Sequence, residues 1–175
     1  MLCNGLLSCS PEGERLGEAC DMLVTAKGVV HAYQFYPAVM RSHARLTYTE
    51  VAAILANTRG PEAAKRKERL PELLNLHDVY RALLLERRAR GAVDFETTET
   101  QIVCDDNGRI EKIVPRTRND AHKLIEEAML AANVCSADFI AQGKQHGLYR
   151  VHEGPTPEKQ EILRSYLKAM AVGMS

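Results

Sequence analysis

The sequence predicts an α+β fold in which antiparallel β-hairpins are packed with long amphipathic helices, and three observations carry that expectation. Two pairs of strand-like runs are each joined by a short glycine-containing turn, Thr25-Ala26-Lys27-Gly28 and Asp105-Asp106-Asn107-Gly108, the composition of a hairpin connection. The stretches between and after them repeat apolar residues at intervals of three and four, the period of a helix face. Hairpins separated by helices, with no regular strand–helix–strand alternation, point to antiparallel pairing.

The elements follow in order. Residues 1–17 carry the turn signals Asn4-Gly5 and Ser10-Pro11-Glu12-Gly13 and read as loop. Residues 19–24 and 29–36 form the first hairpin. In its second strand Val30, Ala32, Gln34 and Tyr36 share one side, and His31, Tyr33 and Phe35 the other. A third strand is expected through residues 37–40 towards Leu46. Thr47 or Thr49 then caps a helix carrying Val51, Ile54 and Leu55, which Asn57-Thr58-Arg59-Gly60-Pro61 ends. A short polar segment leads into a long helix with Leu70, Leu73, Leu76, Leu83 and Leu84, closed at Gly91. Pro71 belongs at its start, because a proline inside a helix removes a hydrogen bond and clashes with the preceding turn. Residues 92–97 and 100–104 read as strands, and residues 109–114 return from the second turn until Pro115 ends them. Residues 157–171 make a final helix.

The run from Arg118 to Asn133 reads as one helix. Ala121, Ile125, Ala128, Ala132, Cys135 and Phe139 give it a core stripe. Glu127 falls outside that stripe, yet its neighbours at helical spacing are Leu124, Leu130, Ala131 and Val134. A carboxylate among apolar groups is costly to bury unless something polar meets it. Either Lys123, one turn earlier, pairs with it, or it faces a ligand.

Composition narrows the function classes. The chain has 175 residues, 45% of them hydrophobic, enough for one domain or part of one. Its 23 basic and 23 acidic residues cancel, so no global field advertises a nucleic-acid or membrane partner. Five cysteines without a Cys-x-x-Cys pair are expected to be reduced, and no zinc site is expected. No signal peptide is read at the start, and no apolar run approaches the roughly 20 residues a bilayer requires, so a soluble protein is expected. The Asp105-Asp106 pair could bind magnesium, but the Asn107-Gly108 that follows makes a solvated turn the better reading. His77 and His122 are expected to make ordinary hydrogen bonds on helix surfaces. Neither a glycine-rich phosphate loop nor a Gly-x-Ser-x-Gly elbow is present, so the chain holds no complete catalytic constellation of its own.

Three motifs nevertheless stand in a specific order: His43-Ala44-Arg45-Leu46-Thr47-Tyr48, then Gly91-Ala92-Val93-Asp94-Phe95-Glu96, then Arg118-Asn119-Asp120-Ala121-His122-Lys123-Leu124-Ile125-Glu126-Glu127-Ala128-Met129. With the opening Cys3-Asn4-Gly5-Leu6-Leu7-Ser8-Cys9-Ser10-Pro11 they resemble the RNB-type catalytic domain of the ribonuclease II family of 3′→5′ exoribonucleases. The resemblance covers essentially the whole chain, most clearly to about residue 153. It implies a magnesium-dependent, processive cytoplasmic enzyme that hydrolyses single-stranded RNA to nucleoside 5′-monophosphates. It also implies that Tyr48 helps place the last nucleotide beside the scissile phosphate and that Phe95 clamps the stacked bases at the 3′ end. Glu127, with Glu126 as its rival, would contact the terminal ribose. Tyr48 and Glu127 are thus the catalytic candidates, and Tyr48, Phe95 and Glu127 the RNA-binding ones. The residues alone allow plainer roles: Phe95 as a core strand residue, Tyr48 packed on the hairpin, and Glu127 paired with Lys123 for about 0.5 kcal/mol.

The resemblance further implies parts that these residues do not supply. The family's magnesium ions are held by an aspartate cluster expected upstream of Met1. A supporting arginine segment is expected beyond Ser175, and RNA-binding barrels of the cold-shock and S1 types at either end. Residues 1–175 are therefore expected to be a central slice of an RNB domain, carrying no metal ligands and inactive alone. The alternative is a non-catalytic single-stranded RNA-binding module or regulator derived from the nuclease.

Overall fold

A twisted antiparallel ribbon opens the chain in this computed structural model, which describes residues 8–9, 11, 13–93, 99–116 and 118–173. Strand β1 (Glu14–Val24) pairs with β2 (Val30–Arg41), from Glu14 opposite Arg41 to Val24 opposite Val30, with a bulge between Leu23 and Val24. Both strands outrun their expected lengths. Residues 14–17, expected as loop, pair with residues 38–41, in the stretch expected as a third strand. Pro37 sits opposite Glu18. A two-stranded ribbon leaves alternate backbone groups without a partner strand, so the N–H that proline lacks need not be missed.

Helix α1 (Tyr48–Ala56) starts at Thr47, whose hydroxyl oxygen accepts from the Glu50 N–H at 3.2 Å. The polar segment after it folds into a short helix, α2 (Pro61–Lys65), and a 3-10 turn, Lys67–Arg69, before α3 (Leu70–Ala89). Pro71 lies in the first turn of α3, where its missing N–H costs nothing, and Gly91 closes the helix at a φ of 81°. The second hairpin pairs β3 (Glu99–Cys104) with β4 (Ile110–Arg116). Pro115 does not end β4 but lies within it, opposite Thr100, again in a two-stranded ribbon.

Helix α4 (Asp120–Gln142) carries the centre of the core. Its buried residues are Ala121, Leu124, Glu127, Ala131 and Cys135. They join Ile54 of α1, Ala63 of α2 and Tyr80 of α3. The expected stripe is therefore rotated: Ile125 and Phe139 are 42% and 55% exposed, and Glu127 lies on the buried line. The β1–β2 ribbon meets the later turns of α4. The Tyr33 hydroxyl donates to Asp138 Oδ2 at 2.5 Å, and the Phe35 and Phe139 rings lie 5.2 Å apart. Cys20, directly across from Phe35, contacts the Cys135 thiol; burial first, and that contact next, push the Cys135 thiol up from its ordinary value.

The chain divides into two compact units, Met1–Phe139 and Ile140–Ser175. The second contains α5 (Pro157–Ala169), capped by Thr156, with Ile162 and Tyr166 exposed on it. Among the described residues no helix is long and apolar enough to cross a membrane.

Candidate functional site

Tyr48 is the first residue of α1, so the Thr47 cap fixes its backbone while its side chain projects from the helix end. The residue is 41% exposed, and its ring lies nearly parallel to the His122 imidazole, with centroids 4.0 Å apart and planes at 17°. Asn119 precedes α4 and caps it: Oδ1 accepts from the His122 N–H at 3.2 Å and meets His122 Nδ1 at 2.8 Å. An apolar pocket of about 350 Å³ opens beside Tyr48, bordered by Leu46, Leu73, Leu124 and Ile125.

Glu127 does not pair with Lys123, one of the two courses its sequence neighbourhood allowed. Its partner is Arg87 of α3, whose Nη1 donates to Oε1 at 2.5 Å. The carboxylate is 5% exposed, and its burial is offset by this charged hydrogen bond. Arg87 also stands 3.7 Å from Glu126 Oε1, and Arg118 donates to Glu126 Oε2. Glu126 is the more open of the two, with 37% of its side chain exposed. Glu127, Arg87 and Arg90 border a cleft of about 260 Å³ together with Gly28 and Val134.

The structure thus sets Tyr48 and Glu127 in different pockets, on different faces of α4. Phe95 lies outside the described residues. Sequence reasoning missed Arg87, Arg118 and the Asn119–His122 pair. Arg87 had a readable signal, since it continues the α3 line of Leu76, Tyr80 and Leu83 at helical spacing. A guanidinium embedded in one apolar stripe and a carboxylate in another are natural partners.

The magnesium chemistry that the resemblance implies finds no set of ligands among the described residues. Two-metal catalysis needs free carboxylates around ions about 4 Å apart. The adjacent pair Glu126 and Glu127 is instead engaged by Arg87 and Arg118. Among the described residues no three His, Cys, Asp or Glu side chains gather as a metal ion would require.

Two antiparallel ribbons and capped helices around a buried ion pair define an α+β fold. The chain belongs to the RNB domain family, which it matches over residues 1–174. It is 43% identical to Ribonuclease R of Vibrio cholerae over 177 aligned residues, covering 100% of this chain and 21% of that protein. Against Ribonuclease R of Escherichia coli the identity is 41%, over 98% of this chain and 21% of that protein. Mycoplasma genitalium RNase R in complex with ribose methylated single-stranded RNA superposes with a TM-score of 0.82 at 25% identity, covering 98% of this chain and 26% of that one. The same enzyme in complex with double-stranded RNA gives 0.85, covering 98% and 30%. The chain therefore spans about a fifth of the length of the Vibrio and Escherichia relatives.

Proposed function

We propose that this chain is the central part of the RNB catalytic domain of a cytoplasmic, magnesium-dependent, processive 3′→5′ exoribonuclease. The intact enzyme would hydrolyse single-stranded RNA to nucleoside 5′-monophosphates. The observation that carries this reading is the RNB match over residues 1–174, within which an exposed aromatic stands at the Tyr48 position. In this reading the slice supplies grip. Tyr48 places the terminal nucleotide and Phe95 stacks on bases without regard to sequence, because every base offers a π-face. The ribose contact falls to the Glu126–Glu127 pair. Glu126 offers the more open carboxylate, whereas Glu127 is 5% exposed and held through Oε1 by Arg87.

The ions and the bond cleavage belong to other polypeptide of the enzyme, along with cold-shock and S1 RNA-binding domains. The alternative reading is a non-catalytic binder of single-stranded RNA derived from the nuclease. Both readings expect this chain to bind RNA without cutting it. Incubating it with uniformly labelled single-stranded RNA and magnesium is expected to leave the RNA intact. Release of mononucleotides would contradict this division of labour. Restored cleavage in a longer protein carrying the same segment separates the first reading from the second.

A further inference from the structure

We propose that His122 is a positioning residue that holds the Tyr48 ring in the orientation that meets the terminal nucleotide, with Asn119 fixing His122 in turn. The inference rests on the reading of Tyr48 given above.

A tyrosine at the first position of a helix, with 41% of its surface open, has little of its own backbone to restrain it. The imidazole supplies the restraint. It lies 4.0 Å from the phenol ring and within 17° of parallel, stacked on one face of it. Such a platform is useful only if it is fixed, and α4 fixes it. Asn119 Oδ1 accepts from the His122 N–H, which settles which way the amide is turned. That same oxygen meets Nδ1 at 2.8 Å and the Asn119 backbone N–H meets it at 3.3 Å, so Asn119 holds the imidazole from both its side chain and its backbone. Helix cap, imidazole and phenol ring form one chain of constraint. It ties the start of α4 to the start of α1, two segments far apart in sequence and both inside motifs shared with the family. A side chain that only filled space would need neither the flat ring nor its contacts with Asn119.

The test is equilibrium binding of a fluorescein-labelled oligoadenylate to the full chain at low salt, followed by anisotropy. His122→Leu keeps the bulk but removes the flat ring, and is expected to weaken binding about fivefold, within the range of a lost aromatic stack. His122→Phe keeps the ring and is expected to stay within about twofold of the unsubstituted chain. Adding His122→Leu to Tyr48→Leu should weaken binding no further. Asn119→Ser retains a capping oxygen while drawing it back from Nδ1, and should weaken binding with the helix still capped; it serves if His122→Leu fails to fold. Undiminished binding by His122→Leu or Asn119→Ser, or equal weakening by the leucine and phenylalanine variants, would overturn the inference while Tyr48→Leu still weakens binding. Unchanged binding by Tyr48→Leu would instead overturn the reading of Tyr48, and the inference with it.

Discussion

At the scale of single residues, the Arg87–Glu127 pair decides how α3 and α4 meet. A buried carboxylate is tolerable only while its partner remains, because removing one member strands the other in an apolar surround. Arg87→Met is therefore expected to cost about 3 kcal/mol in urea unfolding. Adding Glu127→Met should restore most of it, since an apolar pair of similar volume is close to neutral there. The sequence placed Glu127 beside an apolar stripe and registered the conflict, but not its resolution. Ala121 and Cys135 are buried as read, but between them the buried line runs through Leu124, Glu127 and Ala131, because the partner of Glu127 lies 40 residues away on another helix. Tyr33 carries a second, titratable link. Its hydrogen bond to Asp138 raises its pKa from 10.0 to about 12, with burial and the nearby negative charge adding to it. The protonated phenol is the form that folding favours, so its contribution is complete below pH 10 and fades as pH rises through about 12. Tyr33→Phe is expected to flatten that alkaline limb of the pH–stability curve, measured by denaturant unfolding in small pH steps.

At the scale of elements, the turns and caps were the most legible features because their chemistry is local. Thr47 before an apolar run, Pro71 in a first turn and Gly91 at a helix end each act within a few residues of themselves. Strand lengths were less legible. Turn-forming residues before Glu14 and prolines at 37 and 115 read as strand breaks, yet both ribbons run through them. Helix packing on the first hairpin could not be read at all. The Gly28 turn sits against α3 so closely that a Cβ there would lie 2.0 Å from the Ala82 carbonyl oxygen, and its φ is +82°. Gly28→Ala combines a backbone clash with a left-handed conformation and is expected to cost more than about 1 kcal/mol. A thermal melt would show this as a lowered midpoint; an unchanged melt would mean that the turn is not seated on α3.

At the scale of the whole molecule, the apolar pairs left open on both ribbons are consistent with a segment of a larger domain. Leu16 faces Val39 across the first hairpin at 88% and 62% exposure, and Ile102 faces Ile113 across the second at 55% and 60%. Open two-stranded edges beside apolar pairs favour self-association, so sedimentation at rising concentration is expected to show oligomers, reduced by Leu16→Lys with Val39→Lys. The α+β class was legible from hairpins and helix periods, and the family from three motifs in order. The site was legible in part: Tyr48 stands exposed at a helix start, but its contact with His122 links segments 74 positions apart, beyond any local pattern. The central claim is that grip on RNA resides in this chain. The measurement that tests it most directly is equilibrium binding of the chain to matched single-stranded RNA and DNA across a salt series. RNA should bind more tightly than DNA, with affinity falling as salt rises and falling again in Phe95→Ala. Equal affinity for the two strands, or no binding at low salt, would contradict it.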